Sequence, residues 1–298
     1  MAPRGLLACV AALVASALAA TDPALAAWPG QNGRLAFQSI SERGVELRTS
    51  TLEGRRQRVL ARFAPLPIAL EQQSGAPQWS PSGRRLLFQR MASGLEIVGP
   101  SGRPRRTIDT SLLEPGWAPG GGAFVAVDVG EVPRSLVLMR VDGGLERRIA
   151  IPPAEHVAFP RWSPSGRWIV YQQATEVGSF LWRVRPDGSA ARRLGGGELA
   201  TWAPSGRRLA FSDGRDIWSM RPDGGGRRRL SRGPDGTDVG GLAWSPDGRR
   251  IAIVRQLHPD VDHSAVVATI PARGGRETQR FGGRHFIGLI DWQPRPSG

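Results

Sequence analysis

The chain has 298 residues, of which 40 are basic and 26 acidic, and its formal net charge is +14. No lysine occurs, so every basic residue is an arginine. The single cysteine, Cys9, lies near the N-terminus, which excludes a disulfide framework and a cysteine metal cluster from the rest of the chain. After residue 26 no segment approaches the roughly 20 apolar residues that cross a bilayer. We therefore predict that the protein is not integral to a membrane.

The first 26 residues have the form of a signal peptide. Arg4 precedes an uncharged run over residues 5–20, and Ala24-Leu25-Ala26 has the small-x-small pattern that a signal peptidase accepts. We predict a signal peptide over 1–26 and an extracytoplasmic location, either secreted or periplasmic. Lipidation at Cys9 is the alternative, because the residues before it resemble a lipoprotein processing box.

A motif that begins with tryptophan repeats along the mature chain. Four copies follow the pattern W-[SA]-P-[SD]-G-R and a fifth is degenerate; they begin at Trp79, Trp117, Trp162, Trp202 and Trp244. The spacings of 38, 45, 40 and 42 residues are too short for a domain and are typical of one four-stranded propeller blade. Because one bulky residue recurs at the same place in every blade, we predict that these tryptophans pack between blades rather than bind a sugar.

Each motif predicts a tight turn between two strands. Proline fixes φ, Ser or Asp can bond its own backbone, and glycine supplies a positive φ. About 20 residues later a second turn signal follows, as in Asp187-Gly188 and Asp223-Gly224, and it joins two more strands. Each unit therefore consists of strand a, a turn, strand b, a loop, strand c, a turn and strand d.

The two ends of the chain predict how a ring closes. Strands b, c and d of a first blade fall at 32–37, 45–50 and 57–61. A strand a with no blade after it falls at 286–294. Pairing the two predicts an all-β fold over 27–298, a six-bladed β-propeller in which the C-terminal strand joins the N-terminal blade and removes exposed sheet edges. Trp28 offers a competing start for the first blade.

These motifs carry a family resemblance. The W-S-P-[SD]-G-R-x-[LI]-[AV]-F units, the Pro-Asp-Gly turns and the closing Asp291-Trp292-Gln293-Pro294 resemble the TolB-like six-bladed β-propeller repeat family. They are also similar to the propeller domain of dipeptidyl peptidase IV-type proteins. The resemblance covers nearly the whole mature chain and implies the fold. It does not imply an activity, because one fold hosts unrelated functions.

Two enzyme classes lack their sequence motifs. No G-x-S-x-G occurs, and no residues remain for the α/β-hydrolase domain of peptidases with this type of propeller. No glycine-rich phosphate loop with a lysine occurs either. Serine hydrolysis and nucleotide hydrolysis are therefore not expected.

Strand order predicts two unlike faces of the disc: a loop face with the b–c and d–a loops, and a turn face with the a–b and c–d turns. Most acidic residues, among them Glu114 and Asp128, map to the loop face, as do all four histidines: His156, His258, His263 and His285. Imidazoles and carboxylates suit a divalent cation, and the candidate metal ligands are His258, Asp260, Asp262 and His263. The alternative is a solvated polar loop. No other cofactor is predicted.

The turn face collects arginines, because two or three of them follow most turns. Arginine forks suit phosphate and carboxylate groups. The candidate binding residues are Arg105, Arg106, Arg192, Arg193, Arg228 and Arg229. The alternative is that a GC-rich genome supplied solubilising charge without a ligand.

We predict an exported, non-catalytic propeller that binds a protein or an anionic envelope polymer. The alternative is a metal-assisted lyase or hydrolase whose site at the channel mouth is drawn from His156, His258, Asp260, Asp262, His263 and His285. Nucleic-acid binding is not expected, because the leader directs the chain out of the cytoplasm. The sequence does not predict an oligomeric state.

Overall fold

The computed structural model describes residues 28–41, 44–63, 76–90, 94–108, 111–130, 132–154, 156–257, 264–283 and 286–295. These residues form an all-β ring of six four-stranded antiparallel sheets, which are the six blades. Within this described part of the chain, no helix is long and apolar enough to cross a membrane. The predicted signal peptide over 1–26 lies outside the described residues.

Each blade runs from an inner strand a, next to the central channel, to an outer strand d. Blade 1 contains β24 (Phe286–Arg295), β1 (Gln31–Ser41), β2 (Gly44–Ser50) and β3 (Arg58–Phe63). Blade 2 contains β4 (Gln78–Trp79), β5 (Leu86–Arg90), β6 (Gly94–Val98) and β7 (Pro104–Ile108). Blade 3 contains β8 (Leu112–Trp117), β9 (Ala123–Asp128), β10 (Ser135–Arg140) and β11 (Leu145–Ile149).

The second half of the ring repeats this order. Blade 4 contains β12 (His156–Trp162), β13 (Ile169–Thr175), β14 (Gly178–Val184) and β15 (Arg192–Gly196). Blade 5 contains β16 (Glu198–Trp202), β17 (Leu209–Ser212), β18 (Ile217–Met220) and β19 (Arg228–Ser231). Blade 6 contains β20 (Thr237–Trp244), β21 (Arg250–Leu257), β22 (Ser264–Pro271) and β23 (Thr278–Gly283).

The predicted ring closure is confirmed. The C-terminal strand β24 pairs antiparallel with β1, from Gln31 opposite Arg295 to Ile40 opposite Phe286. Trp28 belongs to no strand, so the competing start is not used. The fold class and the closing strand are therefore as the repeat predicts.

The a–b turns form as the motif predicts. In blade 2 the N–H of Ser80 donates to the carbonyl of Arg85 at 2.8 Å, and the N–H of Gly83 donates to the carbonyl of Ser80 at 2.8 Å. Gly83 has a φ of +63°, and a Cβ there would lie 1.9 Å from the carbonyl oxygen of Pro294 in β24. Glycine is therefore required both by the turn and by the packing of blade 2 against the closing strand.

The core is divided among the six junctions between neighbouring blades. One apolar cluster fills each junction, and each contains one repeat tryptophan from β4, β8, β12, β16, β20 or β24. All six tryptophans are at most 8% exposed. Their predicted role in packing between blades is confirmed. Successive side chains of a strand point to opposite faces of the sheet. The residue before each repeat tryptophan therefore faces the channel.

Candidate functional site

The inner strands surround a cavity of about 70 Å³ on the ring axis. Its wall includes the residue that precedes the repeat tryptophan in five blades: Gln78, Gly116, Arg161, Thr201 and Asp291. Trp28 also lies in this wall, and its Nε1 donates to the carbonyl of Trp79 at 3.2 Å. The N–H of Gly30 donates to the carbonyl of Pro246 in the a–b turn of blade 6. The segment 28–30 therefore lies at the turn face, where it contacts blades 2 and 6 on either side of blade 1.

Among the described residues, Arg161 is the one cationic side chain in the wall of this cavity. Arg161 comes from blade 4, and Asp291 comes from blade 1, which is the opposite blade of the ring. Nη1 of Arg161 donates to its neighbouring carbonyl, Pro160, at 2.9 Å. With the amide oxygen of Gln78 turned toward the guanidinium, Oε1 accepts from Nε and Nη2 of Arg161 at 2.6 Å each. Burial lowers the pKa of Arg161, whereas the Glu114 and Asp291 carboxylates oppose that change.

Glu114 lies inside the channel wall and not in a loop of the loop face, which corrects the sequence prediction. It is part of β8, and its Oε2 accepts the main-chain N–H of Phe159 in blade 4 at 2.6 Å. Burial raises the pKa of Glu114, and the Phe159 N–H and the Arg161 charge oppose the rise. The carboxylate therefore connects two neighbouring blades.

Three inner strands share a strained position that the sequence did not indicate. Glu114, Phe159 and Leu199 have φ of 52°, 50° and 54°, and each lies three residues before its repeat tryptophan, at an irregularity in the strand register. Side chains of the preceding blade accept the N–H groups there: Gln89 accepts from Glu114 at 3.3 Å, and Gln172 accepts from Leu199 at 3.2 Å. Left-handed backbone at non-glycine residues costs about 1–3 kcal/mol each. These bonds hold the wall of blades 3 to 5 in one conformation.

The predicted binding arginines lie on the outer strands, at the rim next to the turn face. Arg105 and Arg106 belong to β7, Arg192 and Arg193 to β15, and Arg228 and Arg229 to β19. The side chains of Arg106, Arg192, Arg193, Arg228 and Arg229 are exposed. Blade 3 adds a matching pair in β11, Arg147 and Arg148. We call the set from these four blades the outer-strand arginines.

Few of the outer-strand arginines meet a carboxylate. Arg229 forms an ion pair with Asp216 at 3.2 Å, and Arg148 forms one with Asp128 at 2.7 Å. Arg193 lies over the ring of Phe180, with its Cζ 3.7 Å from the centroid. No ion pair with any residue that the structure describes is formed by the remaining members whose side chains are described: Arg106, Arg147, Arg192 and Arg228. Most of the outer-strand arginines with described side chains on blades 2 to 5 therefore carry a charge that no ion pair neutralises.

The predicted metal ligands are not among the described residues, which exclude 258–263. His285 also lies outside them, and His156 is exposed at the start of β12 on the loop face. Within the described ranges, no group of three or more His, Cys, Asp or Glu side chains is arranged to hold a metal ion. Asp128, which the sequence assigned to the acidic loop face, is buried and bonded to Arg148.

No protein-family model matches the chain. Over 100 residues, 32% of this chain, it is 30% identical to uncharacterized protein Atu1656 of Agrobacterium fabrum. That match spans only 34% of the length of the curated relative.

Solved structures resemble the whole ring. TolB from Acinetobacter baumannii superposes with a TM-score of 0.72 at 14% identity, over 88% of this chain and 67% of that chain. A chain of the nidogen/laminin complex gives 0.70 at 12% identity, over 89% and 99% of the two chains. Oligogalacturonate lyase in complex with manganese gives 0.56 at 13% identity, over 84% and 75%. At these identities the likeness establishes the fold alone, and the fold of this chain is the TolB-like six-bladed β-propeller.

Proposed function

We propose that this chain is an exported, non-catalytic propeller that binds an acidic protein or an anionic envelope polymer. The observation that carries the proposal is the row of outer-strand arginines on four successive blades, most of which have no carboxylate partner among the described residues. Export rests on the leader predicted over 1–26. The propeller chain of the nidogen/laminin complex is a precedent for a protein complex formed with this fold.

The spacing of the charges supports a long ligand rather than a small one. Equivalent positions recur once per blade, so the guanidinium groups form an arc along the rim instead of a single pocket. A partner with several anionic groups can meet several of them at once, and each contact releases counterions. Under the alternative hypothesis, the arginines only keep the protein soluble, and their arrangement along the rim has no ligand.

Binding to a teichoic-acid-like or heparin-like polymer tests the proposal. In one variant Arg106, Arg192, Arg193 and Arg228 are changed to Gln, and affinity is measured between low and physiological salt. We expect the wild-type affinity to fall steeply with salt, because exposed charges are screened at these ionic strengths. We expect the variant to lose most of both the affinity and its salt dependence.

The matched control removes the same charge from other parts of the surface. Its four substitutions to Gln are at exposed arginines away from the outer strands of blades 2 to 5: Arg55, Arg62, Arg232 and Arg276. This variant should bind nearly as well as the wild type. Equal weakening of the two variants would show that the arginines act only as bulk charge, and the proposal would be wrong.

A metal-assisted lyase or hydrolase remains the second candidate function. The fold likeness to oligogalacturonate lyase in complex with manganese favours it, since that propeller is an enzyme. If His258, Asp260, Asp262 and His263 bind a cation, a saturating concentration of Ca²⁺, Mn²⁺ or Zn²⁺ should raise the melting temperature by mass action. Changing both histidines to Ala should abolish the rise. No shift with any of the three ions would leave the solvated polar loop as the explanation.

A further inference from the structure

In two blades, an arginine just before or at the start of strand b donates a hydrogen bond to a hydroxyl group on strand c. In blade 1, Nε of Arg34 donates to Oγ1 of Thr49 at 3.0 Å. In blade 5, Nη2 of Arg208 donates to Oγ of Ser219 at 3.0 Å and to the carbonyl of Gly226 at 3.0 Å. The guanidinium in each case is held by neutral acceptors of its own blade.

Blade 4 departs from this arrangement. Trp168 occupies the position of the strand b arginine, and Arg183 occupies the position of the hydroxyl. The Cζ of Arg183 lies 4.1 Å from the centroid of the Trp168 ring, and the Cζ of Arg185 lies 5.5 Å from it. Arg192 lies directly opposite Arg183 across the β14–β15 pair, so both side chains lie on the same face of the sheet. We call Arg183, Arg185 and Arg192 the blade 4 arginine cluster.

No ion pair with a described side chain compensates this charge. Nη1 of Arg183 donates to the carbonyl of Pro222 at 2.8 Å, whereas its Nε is buried and has no hydrogen-bond partner in the described residues. Arg185 and Arg192 form no ion pair with a described side chain. Burial, followed by the charge of Arg192, lowers the pKa of Arg183, whereas the Asp223 carboxylate opposes that change. Like charges directly opposite each other destabilise a strand pair.

Asp187 and Asp223 act electrostatically on Arg185 and Arg183, respectively, but neither forms an ion pair with the cluster. Oδ1 of Asp187 accepts the N–H of Ser189 at 2.8 Å within the c–d turn of blade 4. Asp223 pairs with Arg221 at 3.4 Å in blade 5. Stacking on Trp168 fixes the positions of Arg183 and Arg185 while leaving guanidinium N–H groups free to donate.

We propose that the blade 4 arginine cluster is a binding site for a phosphoryl or sulfuryl oxyanion. A tetrahedral dianion accepts from several guanidinium forks at once and would relieve the repulsion between Arg183 and Arg192. A single carboxylate carries half that charge and fits the cluster less well. This site deepens the proposed function, because it names the anionic group that one blade selects.

Calorimetric titration of the full chain with inorganic phosphate, at an ionic strength held constant with NaCl, tests the site. We expect saturable binding of one phosphate per chain. Arg185→Gln/Arg192→Gln should weaken it at least about tenfold, because two charge-assisted contacts are lost. Trp168→Leu keeps every charge and should weaken it several-fold through loss of the stacked geometry.

The matched control is Arg55→Gln/Arg84→Gln, which removes the same charge from exposed positions of blades 1 and 2 and should leave phosphate binding unchanged. Equal weakening in both double variants, or no saturable binding to the wild type, would overturn the site.

A glycerol-phosphate polymer gives the second arm of the experiment. Competition between phosphate and this polymer supports a polymer-borne ligand, and phosphate binding without competition supports a free one. Polymer binding by a chain that does not bind phosphate would reject the site and retain the proposed function.

Discussion

Oδ2 of Asp291 accepts the main-chain N–H of Trp79 at 2.7 Å. Asp291 belongs to the closing strand β24, and Trp79 belongs to β4, an inner strand of only two residues. The carbonyl of Trp79 accepts the indole N–H of Trp28 at 3.2 Å. Side chains from near both ends of the described chain therefore hold the inner strand of blade 2 at the seam of the ring.

The first prediction concerns this bond. Asp291→Ala leaves the buried N–H of Trp79 without its acceptor, and such a loss costs about 1–3 kcal/mol. We expect a drop of this size in the free energy of unfolding, measured by urea denaturation. Thr201→Ala is the control, because Thr201 has the equivalent position in blade 5 and no side-chain hydrogen bond to a described residue. Equal losses in the two variants would contradict a special role for Asp291.

The second prediction concerns pH. Burial raises the pKa of Asp291 to about 7, against the effects of the Trp79 and Trp292 N–H groups and of Arg161. The unfolded group titrates near its ordinary value of about 3.9. Between about pH 4 and 7 the folded state therefore binds more protons than the unfolded state, so stability from this group falls as pH rises through that window.

Asp291→Asn removes this titration and provides the measurement. Between pH 4 and pH 8 the wild type should lose about 1–4 kcal/mol of unfolding free energy relative to the Asn variant. Other titrating groups are common to both proteins and cancel in the difference. A constant difference across this pH range would show that folding does not raise the pKa of Asp291.

The sequence predicted the architecture because a propeller is built from local hairpins. The turn residues of each motif, such as Pro81 and Gly83, fix the a–b turn without help from distant parts of the chain. The tryptophan spacing then gives the blade length. Ring closure was predicted because the segment 286–294 matches a strand a and can pair with the strand b of blade 1, as β24 and β1 do.

The polar interior was not predictable in the same way. Glu114 lies before the degenerate motif of blade 3, and no glycine marks the left-handed backbone there. Arg255 is 2% exposed in β21, and its Nε donates to Oε2 of Glu277 at 3.1 Å. A buried arginine requires such a partner, but Glu277 lies in the connection before β23, away from Arg255 in sequence, and no local pattern pairs them. In blade 4, Trp168 and Arg183 replace the arginine and the hydroxyl residue of other blades, and this replacement becomes visible only when the blades are superposed.

The third prediction tests ring closure. A chain that ends at residue 285 lacks β24, which exposes the edge of β1 and leaves blade 1 without an inner strand. Because each blade is stabilised by its two neighbours, we expect loss of the cooperative thermal transition rather than a small decrease in melting temperature. Circular dichroism and light scattering measure the unfolding and the aggregation. A truncated chain that melts cooperatively at the full-length temperature would refute closure by β24.

The last prediction concerns Trp28, which is 8% exposed and packs in the cluster between blades 2 and 3. Trp28→Ala removes a large buried ring next to the channel and should cost about 3–5 kcal/mol of unfolding free energy. Trp28→Phe keeps an aromatic ring but loses the N–H that donates to Trp79, so it should lose about 1 kcal/mol from that bond in addition to a smaller packing loss. Urea denaturation of both variants separates the two contributions. If both changes were neutral, segment 28–30 would only rest on the turn face, and the seam would depend on Asp291 alone.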